Sequence, residues 1–293
     1  MKIIRIEGGL GNQMFQYAFA RSLARSSGDE VALDLAGLVT PNDTKREYRL
    51  KEVFSIEARL ASAEESAAFQ RGRAHPRVSA FKHAFESQVP IYISERQGTF
   101  DPSVFMVRGN AYFRGYWQSE RYFASVQDEV RKAFSNFPLL SSAASDLQRM
   151  IDESSISLHV RRGDYVTHRG AAEVIGAKSA DYYKAALQKA ADALGHPRIF
   201  AFSDDIAWVK SSLDLPADTV YVSELGLKDW EEMRLMSLCR RHVISNSSFS
   251  WWGAWLDPRP DKMVIAPIPW FRDRRLENKD MCPHSWIRIP TNL

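Results

Sequence analysis

The segment His159-Val160-Arg161-Arg162-Gly163-Asp164-Tyr165 carries the densest chemistry in the chain. It follows Ile156-Ser157-Leu158, a short apolar run that reads as a buried strand. Side chains alternate along a strand, so His159 and Arg161 are expected on one face, before Gly163 turns the chain. A strand end thus receives two guanidiniums, an imidazole and a carboxylate. In open α/β sheets ligands bind just outside the carboxyl ends of strands. Arginine is always charged, and its planar fork matches phosphate oxygens. The segment predicts a site for a phosphorylated ligand, with an acid and a candidate base beside it. An ordinary ion pair at a strand end is the alternative. An adhesion role for Arg162-Gly163-Asp164 is disfavoured, because nothing in the sequence signals secretion.

Three further patches share this logic. Gly8-Gly9-Leu10-Gly11-Asn12-Gln13 lies between strand-like and helix-like stretches. Glycines there let backbone amides approach a ligand, and the helix start adds free N–H groups. It is neither GxGxxG nor a Walker loop, and only Asp34 stands near a ribose-binding distance. A tight turn that requires glycine is the alternative, with Asn12 as the expected N-cap. The second patch runs from Ser245 and Asn246 through Ser247, Ser248, Phe249 and Ser250 to Trp251-Trp252-Gly253. One serine suffices to cap a helix, so the surplus hydroxyls favour a ligand. Trp251, Trp252 and Trp255 are expected in the core. The third is Phe202-Ser203-Asp204-Asp205. A carboxylate here suits the N1–H and 2-amino group of a guanine, or caps the helix that begins at Ile206. No acidic cluster resembles a magnesium site, so the expectation is a metal-independent site in which arginine balances phosphate charge.

The chain has 293 residues, of which 45% are hydrophobic and 26% charged, enough for a full core without disulfides or metals. A net charge of +3 and a pI near 8.8 suit an anionic ligand or a loose contact with an anionic membrane. They are too weak to indicate nucleic acid. The two cysteines, Cys239 and Cys282, lack zinc-ligand spacing and point to a reducing compartment. Met1–Glu7 is broken by charges, unlike a signal peptide, and no apolar run reaches membrane-spanning length. A cytoplasmic protein is expected, for which the glycosylation patterns at Asn42-Asp43-Thr44 and Asn246-Ser247-Ser248 are irrelevant.

Strands are expected at 2–7, 30–35, 89–94 and 111–116, with helices at 13–25, 63–73 and 119–134. Residues 36–95 are weakly patterned. Phe137-Pro138 and the Ser/Ala-rich stretch to Ser145 read as a boundary, followed by a helix at 146–152. Strands at 156–161, 198–202, 219–223, 242–245 and 263–266 then alternate with helices at 181–194, 206–213, 228–240 and 249–256. Such alternation implies a parallel sheet covered on both faces. The expected architecture is α/β, with two Rossmann-like domains facing across a cleft, residues 1–150 and 151–293.

Gly9-Leu10-Gly11-Asn12-Gln13-Met14-Phe15-Gln16-Tyr17, His159-Val160-Arg161-Arg162-Gly163-Asp164, Phe202–Asp205 and the Ser245–Gly253 patch together resemble the bacterial α-1,2-fucosyltransferases. Gly115–Ser119 and Pro267–Phe271 extend the likeness along nearly the whole chain. The resemblance implies a GT-B fold, with GDP-fucose held by the C-terminal half and a galactose-containing glycan by the N-terminal half. It implies inversion at the fucose anomeric carbon and no metal. Arg161 is then expected to meet the β-phosphate. Asn246, Ser247, Ser248 and Phe249 would hold the pyrophosphate, aided by Arg162. Gly11 and Asn12 would reach the donor from the other domain. His159 is expected near ribose or phosphate, and Asp204 or Asp205 at the guanine. Asp164 is the candidate base, or else it orients the arginines. Two other readings stay open: a fucosyltransferase of different regiochemistry or acceptor class, and a non-catalytic nucleotide-sugar-binding protein. Peripheral contact with the inner face of a membrane, through Arg71-Gly72-Arg73 or Arg272–Arg275, is compatible but ranks below a solvated surface.

Overall fold

A computed structural model describes residues 1–39, 46–71, 73–74, 90–96, 98–192 and 194–291. Asn42-Asp43-Thr44, Gly72 and Val89 lie outside these residues. The chain divides into one unit of Met1–Asn136 with Lys279–Met281, and another of Phe137–Asn278 with Cys282–Leu293. The division falls at Phe137-Pro138, before the helix Ser142–Met150 rather than after it. Ala144 and Leu147 of that helix pack on Phe200, Phe202 and Leu235, which draws it into the second unit.

The first unit contains β1 (Lys2–Glu7), α1 (Leu10–Ser27), β2 (Val31–Gly37), α2 (Leu50–Phe54), α3 (Ala63–Gln70), β3 (Arg73–Ala74), β4 (Ile91–Ser94), β5 (Ala111–Arg114) and α4 (Gln127–Phe134). Its five-stranded sheet has the order β2-β1-β5-β4-β3, and each adjacent pair is parallel. Ile4, Ile6, Leu33, Ile93 and Phe113 meet Phe19 and Leu23 of α1 on one face. Ile3, Ala32 and Tyr112 face Phe69 of α3 on the other. After β1 the chain moves to β2 on one side, whereas β3, β4 and β5 build the other. The strand order therefore reverses between β1 and β5.

The second unit holds α5 (Ser142–Met150), β6 (Ser155–Val160), α6 (Gly163–Thr167), α7 (Arg169–Val174), α8 (Ala180–Ala191), β7 (Arg198–Ser203), α9 (Ile206–Ser212), β8 (Val220–Tyr221), α10 (Asp229–Leu238), β9 (Arg241–Val243), α11 (Ser248–Trp255), β10 (Met263–Ile268) and β11 (Ile287–Pro290). Its sheet runs β11-β10-β9-β6-β7-β8, all parallel. Counted within the unit this is the Rossmann order, with its switch point between β6 and β9. Ile156, Leu158 and Val160 of β6 pack against Tyr182, Tyr183 and Ala186 of α8. Phe200 and Phe202 of β7 point to the opposite face, toward Leu235 and Met236 of α10. Both faces are thus covered, and two Rossmann-like units are present as expected.

Several local expectations change. The single helix expected at 119–134 is a 3-10 segment, Glu120–Val126, followed by α4, because Phe123 leaves the helical region. Ser119 caps that segment: its Oγ accepts from the Arg121 amide. The helix expected at 228–240 ends early: α10 stops at Leu238, Arg240 pairs with Glu153 and Asp261, and Arg241 opens β9. Among the described residues no helix is long and apolar enough to cross a membrane.

Candidate active site

The carboxyl ends of β6 and β9 flank the switch point of the second sheet, and the two richest motifs occupy them. Tertiary pairing places them there: β6 and β9 run side by side, although Leu158 and its partner Val243 stand 85 positions apart in the chain. Arg161 leaves the end of β6 and donates through Nε and Nη2 to Asp164 Oδ1, at 3.1 and 2.8 Å. Its Nη1 lies 3.1 Å from Asp204 Oδ2. Burial opposes its charge, but Asp204 and Asp164 outweigh that and raise its pKa. Arg162 turns the other way. Its amide donates to Asp204 Oδ1 at 2.8 Å, its Nε meets Asp205 Oδ2 at 3.1 Å, and its guanidinium lies 4.2 Å above the Trp208 ring. The two carboxylates nearest Arg161 thus hold the fork in place, and Asp164 in this structure orients Arg161.

Gly163 has a reason beyond turning the chain. A Cβ there would stand 2.5 Å from Asp204 Oδ2. Only glycine lets that carboxylate approach the strand end. Asp205 has the capping role: Oδ1 accepts from the Trp208 amide at 3.0 Å and opens α9. Both aspartates are therefore engaged before any base arrives, although Asp205 is the more open side chain, 36% exposed against 24%.

His159 lies within β6 and is buried, with Nδ1 2.9 Å from Ser245 Oγ and its ring tilted against Phe249. Burial, with help from Arg161, pulls its pKa down to about 3, so the imidazole is neutral at physiological pH. Only Nε2 is left for a ligand, and as a neutral group.

The Ser245–Ser250 turn spends three of its four hydroxyls internally. Ser245 takes His159, Ser247 Oγ caps α11 by accepting from the Phe249 amide, and Ser250 Oγ donates to the Ser247 carbonyl. Ser248 is the exception; among the described residues its hydroxyl meets no partner. Asn246 is buried, and its Nδ2 donates to the carbonyls of Ile175, Gly176 and Trp270. That ties the turn to the 267–271 segment, where the Lys178 ammonium also donates to Pro269 and Trp270 carbonyls. Trp251, Trp252 and Trp255 are core, as expected.

Trp208 completes this site from outside the motifs, and Tyr165 and Ser245 complete it from within them. The Tyr165 hydroxyl donates to the Asn246 carbonyl, and burial raises its pKa. Trp208 had a signal, since it stands three residues after an N-cap aspartate. Ser157, His242 and Asp257 form a hydrolase-like chain, Ser157 Oγ to His242 Nδ1 at 2.9 Å and Nε2 to Asp257 at 3.1 Å. All three are buried, so this chain braces the sheet rather than attacking a substrate. No three His, Cys, Asp or Glu side chains among the described residues gather as ligands for a metal ion.

In the first unit, Gly11 and Asn12 sit at the β1–β5 switch point. Asn12 is not the N-cap; α1 begins at Leu10 with Gly9 before it. Gly8 has φ +81°, and a Cβ on it would strike Asn12. Asn12 Oδ1 accepts instead from Gln118 Nε2 at 2.8 Å. Gln13 braces the neighbouring loop through Gly8, Glu47 and Arg49, and Gln16 bridges the Glu7 amide to the Gly115 carbonyl.

Residues 79–290 match the sequence profile of glycosyl transferase family 11. An Escherichia coli α-1,2-colitosyltransferase is 35% identical over 98% of both chains. The O-antigen biosynthesis glycosyltransferase WbnK of E. coli is 28% identical, covering 97% of this chain and 99% of that one. The mouse galactoside 2-α-L-fucosyltransferase Sec1 is 25% identical, over 87% of this chain and 64% of that one. A phosphate-suited arginine at a Rossmann switch point, and a profile match across most of the sequence, agree on one conclusion: the chain belongs to glycosyl transferase family 11.

Proposed function

We propose that the protein transfers L-fucose from GDP-β-L-fucose to the 2-hydroxyl of a terminal galactose, with inversion and without a metal. The observation that carries this reading is Arg161, locked by two carboxylates at the β6 end, beside the N-terminus of α11. As the bond from the fucose anomeric carbon to the β-phosphate oxygen breaks, positive charge develops on the ring and negative charge on the phosphate. Arg161 meets the phosphate charge from a fixed position, which costs little reorganisation. The Ser248 hydroxyl and the first-turn amides of α11 hold the same pyrophosphate. Asp164 serves as the holder of Arg161, and neutral His159 offers Nε2 to the donor without adding charge. Asp205, the more open aspartate, reads the guanine edge. Asp205→Asn keeps a capping oxygen and is expected to lose the preference for GDP-fucose over ADP-fucose; retained discrimination rejects this assignment. The first unit takes the galactoside, with Gly11 and Asn12 meeting the donor.

A second reading changes only the donor. Colitose is L-fucose without the 3-hydroxyl, and the 35% identity to an α-1,2-colitosyltransferase favours testing it. Purified protein is incubated with GDP-fucose or GDP-colitose, a β-galactoside such as lactose or N-acetyllactosamine, and EDTA. NMR then reads any product. An α-1,2-fucosylated galactose supports the proposal, and transfer from GDP-colitose alone supports the second reading. A different linkage moves the enzyme to another regiochemistry. Neither transfer nor GDP release with any galactoside overturns both.

A further inference from the structure

Glu95 was not prominent in the sequence, yet the structure builds a cup for its carboxylate. It follows β4 directly, and its amide donates to the Arg114 carbonyl of β5. Its Oε2 accepts from the amides of Tyr116 and Trp117 at 2.6 and 2.8 Å. Trp117 has φ +56°, a left-handed conformation that is costly for a side chain of its size. Its indole is fully buried and stacked on Phe19 at 4.2 Å. Gly115 makes the cup possible, because a Cβ there would lie 2.3 Å from Glu95 Cβ and 2.6 Å from Oε2. Strain of this kind persists only where surrounding groups over-determine it, and it clusters at functional sites. The next residue is Gln118, whose amide side chain holds Asn12.

We infer that Glu95 is a positioning residue of the transferase: its carboxylate fixes the Gly115–Gln118 turn, and through Gln118 it fixes Asn12 at the switch point of the first unit. This rests on the reading above, in which Asn12 meets the donor. Burial raises the Glu95 pKa to about 7; the amides of Trp117, Tyr116 and Gln118 oppose the rise and Glu7 adds to it. Glu7, at the end of β1, is the charged group acting on it, and Glu7 is itself paired with Arg5. Protonation relieves a buried charge and so favours the folded chain as a whole. It nevertheless weakens the two amide bonds that set the turn, because charge-assisted bonds are the stronger ones.

The test compares Glu95→Ala, Glu95→Gln, Asn12→Ala and the double variant Glu95→Ala/Asn12→Ala. Glu95→Ala is expected to lower kcat/KM about 10- to 100-fold, the usual cost of a misplaced group. The double variant is expected to match Asn12→Ala, since residues acting in series do not add. Glu95→Gln keeps an acceptor oxygen, so it should recover part of the rate while losing the acid limb near pH 7. Losses that multiply in the double variant overturn the inference. So does a Glu95→Ala protein that melts earlier but transfers at the wild-type rate. A readout independent of activity is the ¹⁵N spectrum. The Tyr116 and Trp117 amide signals should titrate with a midpoint near 7 in the wild type and stay flat in Glu95→Gln, whose Asn12 side-chain signals should also stay nearly unchanged. If the wild type transfers no sugar, the proposed function fails, while amide signals that do not titrate reject the Glu95 role by themselves.

Discussion

The two switch points share a construction and differ in charge. In each, a glycine lacks the Cβ that would strike a carboxylate, Gly163 for Asp204 and Gly115 for Glu95. In each, that carboxylate receives backbone amides, from Arg162 in one case and from Tyr116 and Trp117 in the other. Asp204 also pairs with the Arg161 guanidinium, whereas the turn held by Glu95 is braced by amide side chains, Gln118 on Asn12 and Gln16 on the Gly115 carbonyl. The same backbone device thus stands beside guanidiniums in one unit and beside uncharged amide side chains in the other.

The widest gap between the two should appear on replacing Arg161. Arg161→Lys keeps the charge but loses the fork, and kcat is expected to fall about 10²–10³-fold, or about 3–4 kcal/mol, in a transfer assay. A lysine variant with most of its kcat would erase that distinction. Gly163→Ala should push Asp204 off Arg161 and cost about 10- to 100-fold in kcat/KM. Gly115→Ala, which crowds Glu95 instead, should cost about tenfold; equal losses with unchanged donor KM in both would mean that the two glycines serve folding alone.

Acid should separate the units by sign. His159 has a folded pKa depressed to about 3 from 6.5, so its contribution is present above 6.5 and is lost as pH falls toward 3. Each pH unit in that window removes about 1.4 kcal/mol. Glu95 is raised from 4.5 to about 7, so its contribution is present below 4.5 and is lost as pH rises through 7. Denaturant unfolding compared at pH 5 and 7 should show the His159 contribution smaller, and the Glu95 contribution larger, at pH 5. His159→Gln should flatten the first response only. The smallest effect is expected at Trp208, where Trp208→Leu removes the ring under Arg162. That should cost about 0.5–1 kcal/mol in donor binding by calorimetry.

Much of the second unit was legible because each element carries local signals. Ser247 and Asp205 are caps three residues or fewer from the amides they satisfy, and the apolar strands alternate with helices at regular intervals. The short helices α6 and α7 escaped notice, since neither buries a residue and so neither shows apolar periodicity. β11 escaped because its Ile287–Pro290 run is only half buried at a sheet edge. In the first unit the helix at Ala63–Gln70 and the strands Ile91–Ser94 and Ala111–Arg114 were legible as well, but the side-chain partners across them were not. Asn12 looked like a cap by type, but its partner Gln118 is over a hundred residues away. Glu95 had no local mark at all, because its partners lie across β5 and depend on a strand order that no spacing encodes. The basic run Arg272–Arg275 is also quieter than its sequence suggests, with Arg275 paired to Asp273 and Arg272 bonded to the Ala172 carbonyl; the side chain of Arg73 lies outside the described residues.

The three residues Lys279–Met281 belong to the first unit although the chain on either side belongs to the second. Asp280 is the reason: its carboxylate accepts from the Phe100 amide and pairs with Arg121. As two co-expressed fragments the protein would therefore be uneven. A break after Asn136 leaves the upstream piece without the carboxylate that ties Phe100 to Arg121, while the downstream piece keeps every strand of its own sheet. Reassembly of such halves would be limited by the upstream piece, and a permuted chain would do better with its new ends elsewhere.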